Sequence, residues 1–263
     1  VATTRAINRI GIVTAMDEEF MLLGRHCTAQ KKTSIGPRLF RVGNIGRHEV
    51  VLVRSRIGKV AAATTATILI HSFDVDAIFF TGVAGGIAPG ISIGHVVVAD
   101  RVIQHDFDLK GVLGYERFMI PPQRQTHMDT SADLGRVLLR AANALVTDRE
   151  YRTALSRHVN AEPRVHIGLV GSGDAFVAGG AHREDLRSTL PDLLCVEMEG
   201  AAVAQVCSEH DIPCAIARII SDSADEHSLE HFEKFIETVA AVGSEKLMLR
   251  FLSELARGNE CQI

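Results

Sequence analysis

Little in this chain of 263 residues speaks for metal, disulfide or membrane chemistry. Its five cysteines, Cys27, Cys195, Cys207, Cys214 and Cys261, are odd in number and scattered, with no CxxC spacing. Zinc sites and redox dithiols want close pairs and disulfide frameworks want an even set, so the cysteines read as buried reduced thiols of a cytoplasmic protein. No run of Lys or Arg forms a tail, and the net charge is −4. Nucleic acids and anionic membranes need a basic face, so neither is expected as a partner. No apolar run approaches the ~20 residues of a membrane span. The longest are strand-sized, such as 75–80, itself broken by Asp76. Residues 1–9 lack the long apolar core of a signal peptide, and residues 1–8 are expected to be a flexible tail. No repeat, low-complexity tract or linker divides the chain, so one domain over 1–263 is expected.

What is present suits a folded α/β protein. Hydrophobic residues make up 46% of the chain, enough for a sizeable core, and charged residues an ordinary 23%. Short apolar runs at 10–14, 77–80, 96–99, 165–170 and 212–220 read as strands. Runs 39–42 and 50–53 flank Gly43-Asn-Ile-Gly46, which reads as a hairpin turn. Segments 60–70, 134–146, 201–209 and 232–255 carry apolar residues at helical spacing. Strands alternating with helices predict an α/β fold with a central, mixed, largely parallel twisted sheet flanked by helices. The 107–130 segment, with Gly111, Gly114, Pro121 and Pro122, is a long loop, a length expected of lids and contact segments.

Five segments sit where strands of such a sheet end, the place where open α/β sheets bind ligands. The first is A-M-D-E-E (15–19). Asp17 and Glu18 suit an exposed helix N-terminus, whereas Glu19 lies deeper and is the better base. The second is T-G-V-A-G-G (81–86), with Gly85; it fits neither a Walker A loop nor GxGxxG and reads as a tight turn or a close backbone approach to ligand. The third is G-S-G-D-A-F-V (171–177), which is not GxSxG; Phe176 is either core or a ring for stacking on a planar base. In V-E-M-E-G-A-A (196–202), Glu197 and Glu199 stand where burial is costly unless they are paired. In A-R-I-I-S-D (217–222), Asp222 could simply cap the next segment. Asp225, Glu226 and His227 follow, but no zinc or EF-hand spacing occurs, so no metal is expected.

In this order the runs A-M-x-E-E, I-G-K-V-A-A-A, T-G-x-A-G-G, S-G-D-A-F, V-E-M-E and I-S-D-x-A-D resemble the 5′-methylthioadenosine/S-adenosylhomocysteine nucleosidases of the nucleoside phosphorylase superfamily. The resemblance covers about 9–255. It implies hydrolysis of an adenine nucleoside, in methionine salvage, without metal or organic cofactor. Asp222 would protonate adenine N7, with Ser221 orienting it. Glu19 would be the base for water, Arg218 would help position that water, and Glu199 would grip the ribose hydroxyls. Phe176 would stack on adenine, the Val177 backbone would read the base edge, and Glu197 would assist near the sugar or base. Met16, Ile57, Met198 and Phe232 match an apolar pocket for the 5′ end. Leu113, Tyr115 and Pro121, on the 107–130 loop, match contacts to a neighbouring subunit's site, so a homodimer is implied.

Three departures stand out. Val83 replaces a Ser near the water in some relatives, Arg56 precedes Ile57 where Gly is common, and the loop between His105 and Tyr115 carries one extra residue. Two other reactions stay open: phosphorolysis, for which Arg56 and Arg218 would form a basic pair, and hydrolysis of an aminofutalosine-type nucleoside. A nucleoside-binding protein without catalysis would be expected to have lost acids that are all present here.

Overall fold

The computed structural model describes residues 7–121, 123–224 and 228–260. Ile10, Ile12 and Val13 bury completely in β1 (Arg9–Thr14). The acid-rich α1 (Asp17–Gly24) follows, then the meander β2 (Thr28–Ile35), β3 (Arg38–Ile45) and β4 (His48–Arg54). Next come α2 (Lys59–Phe73), β5 (Ala77–Gly86), β6 (Val96–Gln104), the short β7 (His127–Asp129), α3 (Ala132–Val146) and α4 (Arg149–Leu155). The last third holds β8 (Val165–Ser172), α5 (Gly180–Thr189), β9 (Leu193–Glu197), α6 (Gly200–Glu209) and β10 (Cys214–Asp222). One helical run ends the chain: α7 (Ser228–Phe235), a π-helical turn (Ile236–Ala240) and α8 (Ala241–Glu260).

The strands form a ten-stranded mixed sheet with helices on its faces. β4, β1, β5 and β10 run parallel side by side. β10 continues antiparallel to β6, and β6, β8 and β9 pair in parallel. β9 then returns antiparallel to the end of β5, so the sheet closes on itself there. One apolar cluster lies between the sheet and α1, α3 and α8; a second lies under α2 and α6. Burial on both faces explains why the central strands read as continuous apolar runs.

The structure corrects several expectations. Gly43 is not in the turn but inside β3, where an added Cβ would lie 2.3 Å from the Thr28 carbonyl of β2. The reversal is at Gly46, whose φ of 60° suits glycine. Likewise 81–86 is no turn: β5 runs through Gly86, paired to β10 on one side and β9 on the other. The strand β2 has no apolar run to mark it, because its Lys-rich, polar sequence is that of a sheet edge. The 107–130 loop is partly ordered by bridges Asp108–Arg117 and Ile120–Gln125, with Phe118 and Ile120 buried. Of the tail expected over 1–8, residues 1–6 are outside the described residues, whereas the Asn8 N–H donates to Asp76 at 3.0 Å. Pro122, Asp225, Glu226, His227 and Cys261 also lie outside them; Cys27, Cys195, Cys207 and Cys214 are buried.

Candidate active site

The carboxyl ends of β1, β4, β5, β8, β9 and β10 converge on one cavity. Its walls include Met16, Ile57, Val83, Gly85, Phe176, Val177, Glu197, Met198, Glu199, Arg218, Ser221 and Asp222, all candidates from the sequence. The side chains leave about 80 Å³ free. Small-molecule sites span roughly 300 Å³ or more, so the walls must part to admit a nucleoside.

Asp222 ends β10, where a bulge after Ile220 re-aims the strand. Ser221 Oγ donates to its Oδ2 at 2.8 Å, and the Ala224 N–H donates to Oδ1 at 2.8 Å. The bland reading, a helix cap, gives way to a buried carboxylate fixed by its own short turn. Gly85 makes room for it: a Cβ there would stand 2.9 Å from Asp222 Oδ1.

Glu199 and Glu197 flank Met198 but do different work. Glu199 accepts the Gly58 N–H at 2.9 Å, and Gly58 can present that N–H because it holds φ of 96°. Burial, reinforced by the neighbouring Glu197 charge, pushes Glu199 up to about 7. Glu197, expected near sugar or base, has its oxygens engaged by protein donors. They accept from Ser172 Oγ, from the Gly200 N–H at 2.8 and 2.9 Å, and from Arg218 Nη2 at 2.5 Å. Arg218 is 1% exposed, donates through Nη1 to the Ala217 carbonyl at 2.9 Å, and stacks 4.1 Å from the Phe80 ring centroid. The buried pair is therefore neutralised and fully bonded, the condition under which burial of charge is tolerated.

Glu19 is wholly buried one layer behind the cavity wall. Its Oε2 accepts the Met16 N–H at 3.4 Å, and its Oε1 accepts from Ser244 Oγ of α8 at 2.6 Å. Thr81 Oγ1 in turn donates to Ser244 Oγ at 3.3 Å. Loss of solvation pushes Glu19 up to about 7, against the opposing pull of Ser244, Met16 and Arg218. Ser244 was not legible in sequence, since one serine among helical residues carries no positional signal. Val83, half-buried, presents only methyl groups to this wall.

The loop after β8 is pinned from outside. The Lys59 N–H donates to Asp174 Oδ1 at 2.8 Å, the Asp174 N–H donates to Asp106 Oδ2 at 2.8 Å, and Lys59 Nζ donates to Asp106 Oδ1 at 2.5 Å. Phe176 on that loop meets Phe232 of α7 edge to face, with centroids 5.5 Å apart. Leu113, Tyr115 and Pro121 are not among the cavity walls. Leu113 is 86% exposed, and Tyr115 packs under Arg124.

Comparison with known proteins bears on the same geometry. The family model of the phosphorylase superfamily matches residues 9–253. A 5′-methylthioadenosine/S-adenosylhomocysteine nucleosidase of Tolumonas auensis is 34% identical over 94% of this chain and 100% of its own length. The nucleosidase of that name from Streptococcus pneumoniae, solved with the transition-state inhibitor MT-ImmA, superposes with a TM-score of 0.81 at 34% identity, over 94% of this chain and 99% of its own. A futalosine hydrolase of Helicobacter pylori superposes at 0.80 with 31% identity, over 94% and 98%.

Proposed function

The chain belongs to the phosphorylase superfamily and, within it, to the 5′-methylthioadenosine/S-adenosylhomocysteine nucleosidases, and from that premise we infer that it hydrolyses the N-glycosidic bond of such nucleosides. Water adds at C1′ as the bond to N9 breaks, giving adenine and a 5-thio-substituted ribose. Asp222 supplies the proton that N7 takes up, so adenine leaves neutral; general acid catalysis of this kind contributes about 10²–10⁴-fold. Glu19 accepts the proton of water, and Glu199 accepts hydrogen bonds from the ribose hydroxyls. Phe176 stacks on adenine while the Val177 backbone meets its edge. Arg218 works from its place on Glu197, as a fixed positive charge near both Glu19 and Glu199.

The observation that carries this reading is the placing of Asp222 and Glu199 on one apolar-lined cavity, with Glu19 directly behind it. Phosphorolysis is disfavoured on the same grounds. Arg218 is bound to Glu197, and Arg56 lines the neighbouring cavity rather than this one, so no basic pair is held for phosphate beside the nucleophile. Further support for a homodimer with the 107–130 loop at a neighbouring site comes from apolar exposure: Val112 and Leu113 on the loop, and Ile57 and Phe176 at the cavity, all stand in solvent. Among the described residues no helix is long and apolar enough to cross a membrane, and we place the enzyme in the cytoplasm, in methionine salvage.

The test is adenine release from methylthioadenosine with and without phosphate, by the parent and by Asp222→Asn. The expected result is phosphate-independent turnover that the variant loses by at least about 100-fold. Saturable dependence on phosphate, with a sugar 1-phosphate as product, defeats hydrolysis; undiminished turnover in the variant defeats the role of Asp222.

A further inference from the structure

A second cavity of about 310 Å³ opens beside the first and shares Ala15, Met16 and Ile57 with it. Its remaining walls are all charged: Asp17, Glu18, Arg54 and Arg56. Asp17 and Arg54 pair with each other. Glu18 makes no hydrogen bond or ion pair with the described residues, and Arg56 gives only one hydrogen bond, to the Pro37 carbonyl. Among the described residues, the cavity thus offers one unpaired anion and one incompletely used cation. Arg56 also holds φ of 69°, a conformation that disfavours any residue with a Cβ. Strain of this kind is commonly retained where a side chain has work to do.

The position along the sheet matters. The base-protonating end lies on β10, while Arg54 ends β4, with β5 and β1 between them. Three strand spacings span on the order of 14 Å, enough for a nucleoside extended by a 5′ side chain. With adenine at Asp222 and ribose at Glu199, a long 5′ substituent that left the first cavity past the shared walls Met16 and Ile57 would enter this charged one.

Resting on the hydrolytic reading above, we propose that the second cavity binds the amino-acid end of S-adenosylhomocysteine, its carboxylate on Arg56 and its ammonium on Glu18. The two residues therefore set preference among 5′ substituents, and the apolar rim of Met16 and Ile57 serves every thioether alike.

The test compares kcat/KM of the parent, Arg56→Gln and Glu18→Gln, each replacement near the original size without its charge. Substrates are S-adenosylhomocysteine, methylthioadenosine, the analogue lacking the carboxylate, the analogue lacking the ammonium, and a 5′-linked aromatic carboxylate of the aminofutalosine type. Both side chains are exposed, so each lost contact is expected to lower kcat/KM for S-adenosylhomocysteine about 3- to 10-fold, mainly through KM. Methylthioadenosine should change by less than about twofold, because it has no charged tail to lose. The analogue lacking the carboxylate should be indifferent to Arg56→Gln, and the one lacking the ammonium to Glu18→Gln. Equal losses on methylthioadenosine and S-adenosylhomocysteine, or none on either, overturn the proposal. Loss confined to the aromatic carboxylate overturns it in favour of that substrate. A parent that hydrolyses none of these nucleosides defeats the hydrolytic reading, an outcome distinct from all of these.

Discussion

At the scale of single residues, the site rests on carboxylates whose surroundings differ. Glu19 stands at about 7 because burial removes its solvation, and Ser244 holds it down from going higher. As the proposed base, Glu19 must be ionised, so kcat/KM should fall as pH drops below about 7. Ser244→Ala removes a donor to the charged form, and the acidic limb of the pH–rate profile should move to higher pH. An unmoved limb would mean that Ser244 only packs. The same shift has a consequence for stability. An unfolded glutamate titrates near its ordinary value of 4.5, and Glu19 folded near 7, so the native state binds the extra proton between these values. Its contribution is present in full below about 4.5 and lost as pH rises through about 7, by up to about 3 kcal/mol. Glu199, raised alike, acts in the same direction. Urea denaturation of the ligand-free protein should show greater stability at pH 5.5 than at pH 8, and Glu19→Gln should flatten the difference.

At the scale of elements, the contact of α8 with the sheet brings Ser244 to Glu19. It depends on Gly243, the preceding residue. A Cβ there would lie 2.5 Å from Ile219 Cδ1 on β10 and 3.0 Å from Tyr151 Cε2 on α4. The Ile219 terminus can give, but Tyr151 is anchored by its hydroxyl to the Gly94 carbonyl at 2.8 Å. Gly243→Ala gains about 1 kcal/mol of helix propensity and loses about 1–3 kcal/mol to overpacking. The expected net is a destabilisation of about 1 kcal/mol with reduced turnover, measured by thermal melting and by the nucleosidase assay. A melting point at or above that of the parent means that the ring yields.

For the whole molecule, the loop tip is the part that the single chain leaves without a role. Val112 and Leu113 are exposed at this tip, where Leu113 adopts φ of 50°. In a homodimer it would cover a neighbouring cavity. Leu113→Asp should shift the species seen by light scattering from dimer toward monomer, with a raised KM for methylthioadenosine. A parent that is already monomeric and active removes the need for the loop.

Local order along the chain is enough to mark most of the strands, to single out the carboxylates Glu19, Glu199 and Asp222 as candidates, and to point to the family, because apolar periodicity and motif order are local properties. Asp17 and Glu18 were told apart from Glu19 by depth alone, and the structure agrees: the first two are exposed and Glu19 is enclosed. Three things were decided only by tertiary contact. Glu197 was assigned to Arg218 across 21 residues, Ser244 to Glu19 across 225, and the glycines of 81–86 to a strand rather than a turn. Each depends on which surfaces meet once β10 and β9 close on β5. A hydrogen-bond partner or a close backbone approach supplied from far along the chain leaves no periodic trace near the residue it serves.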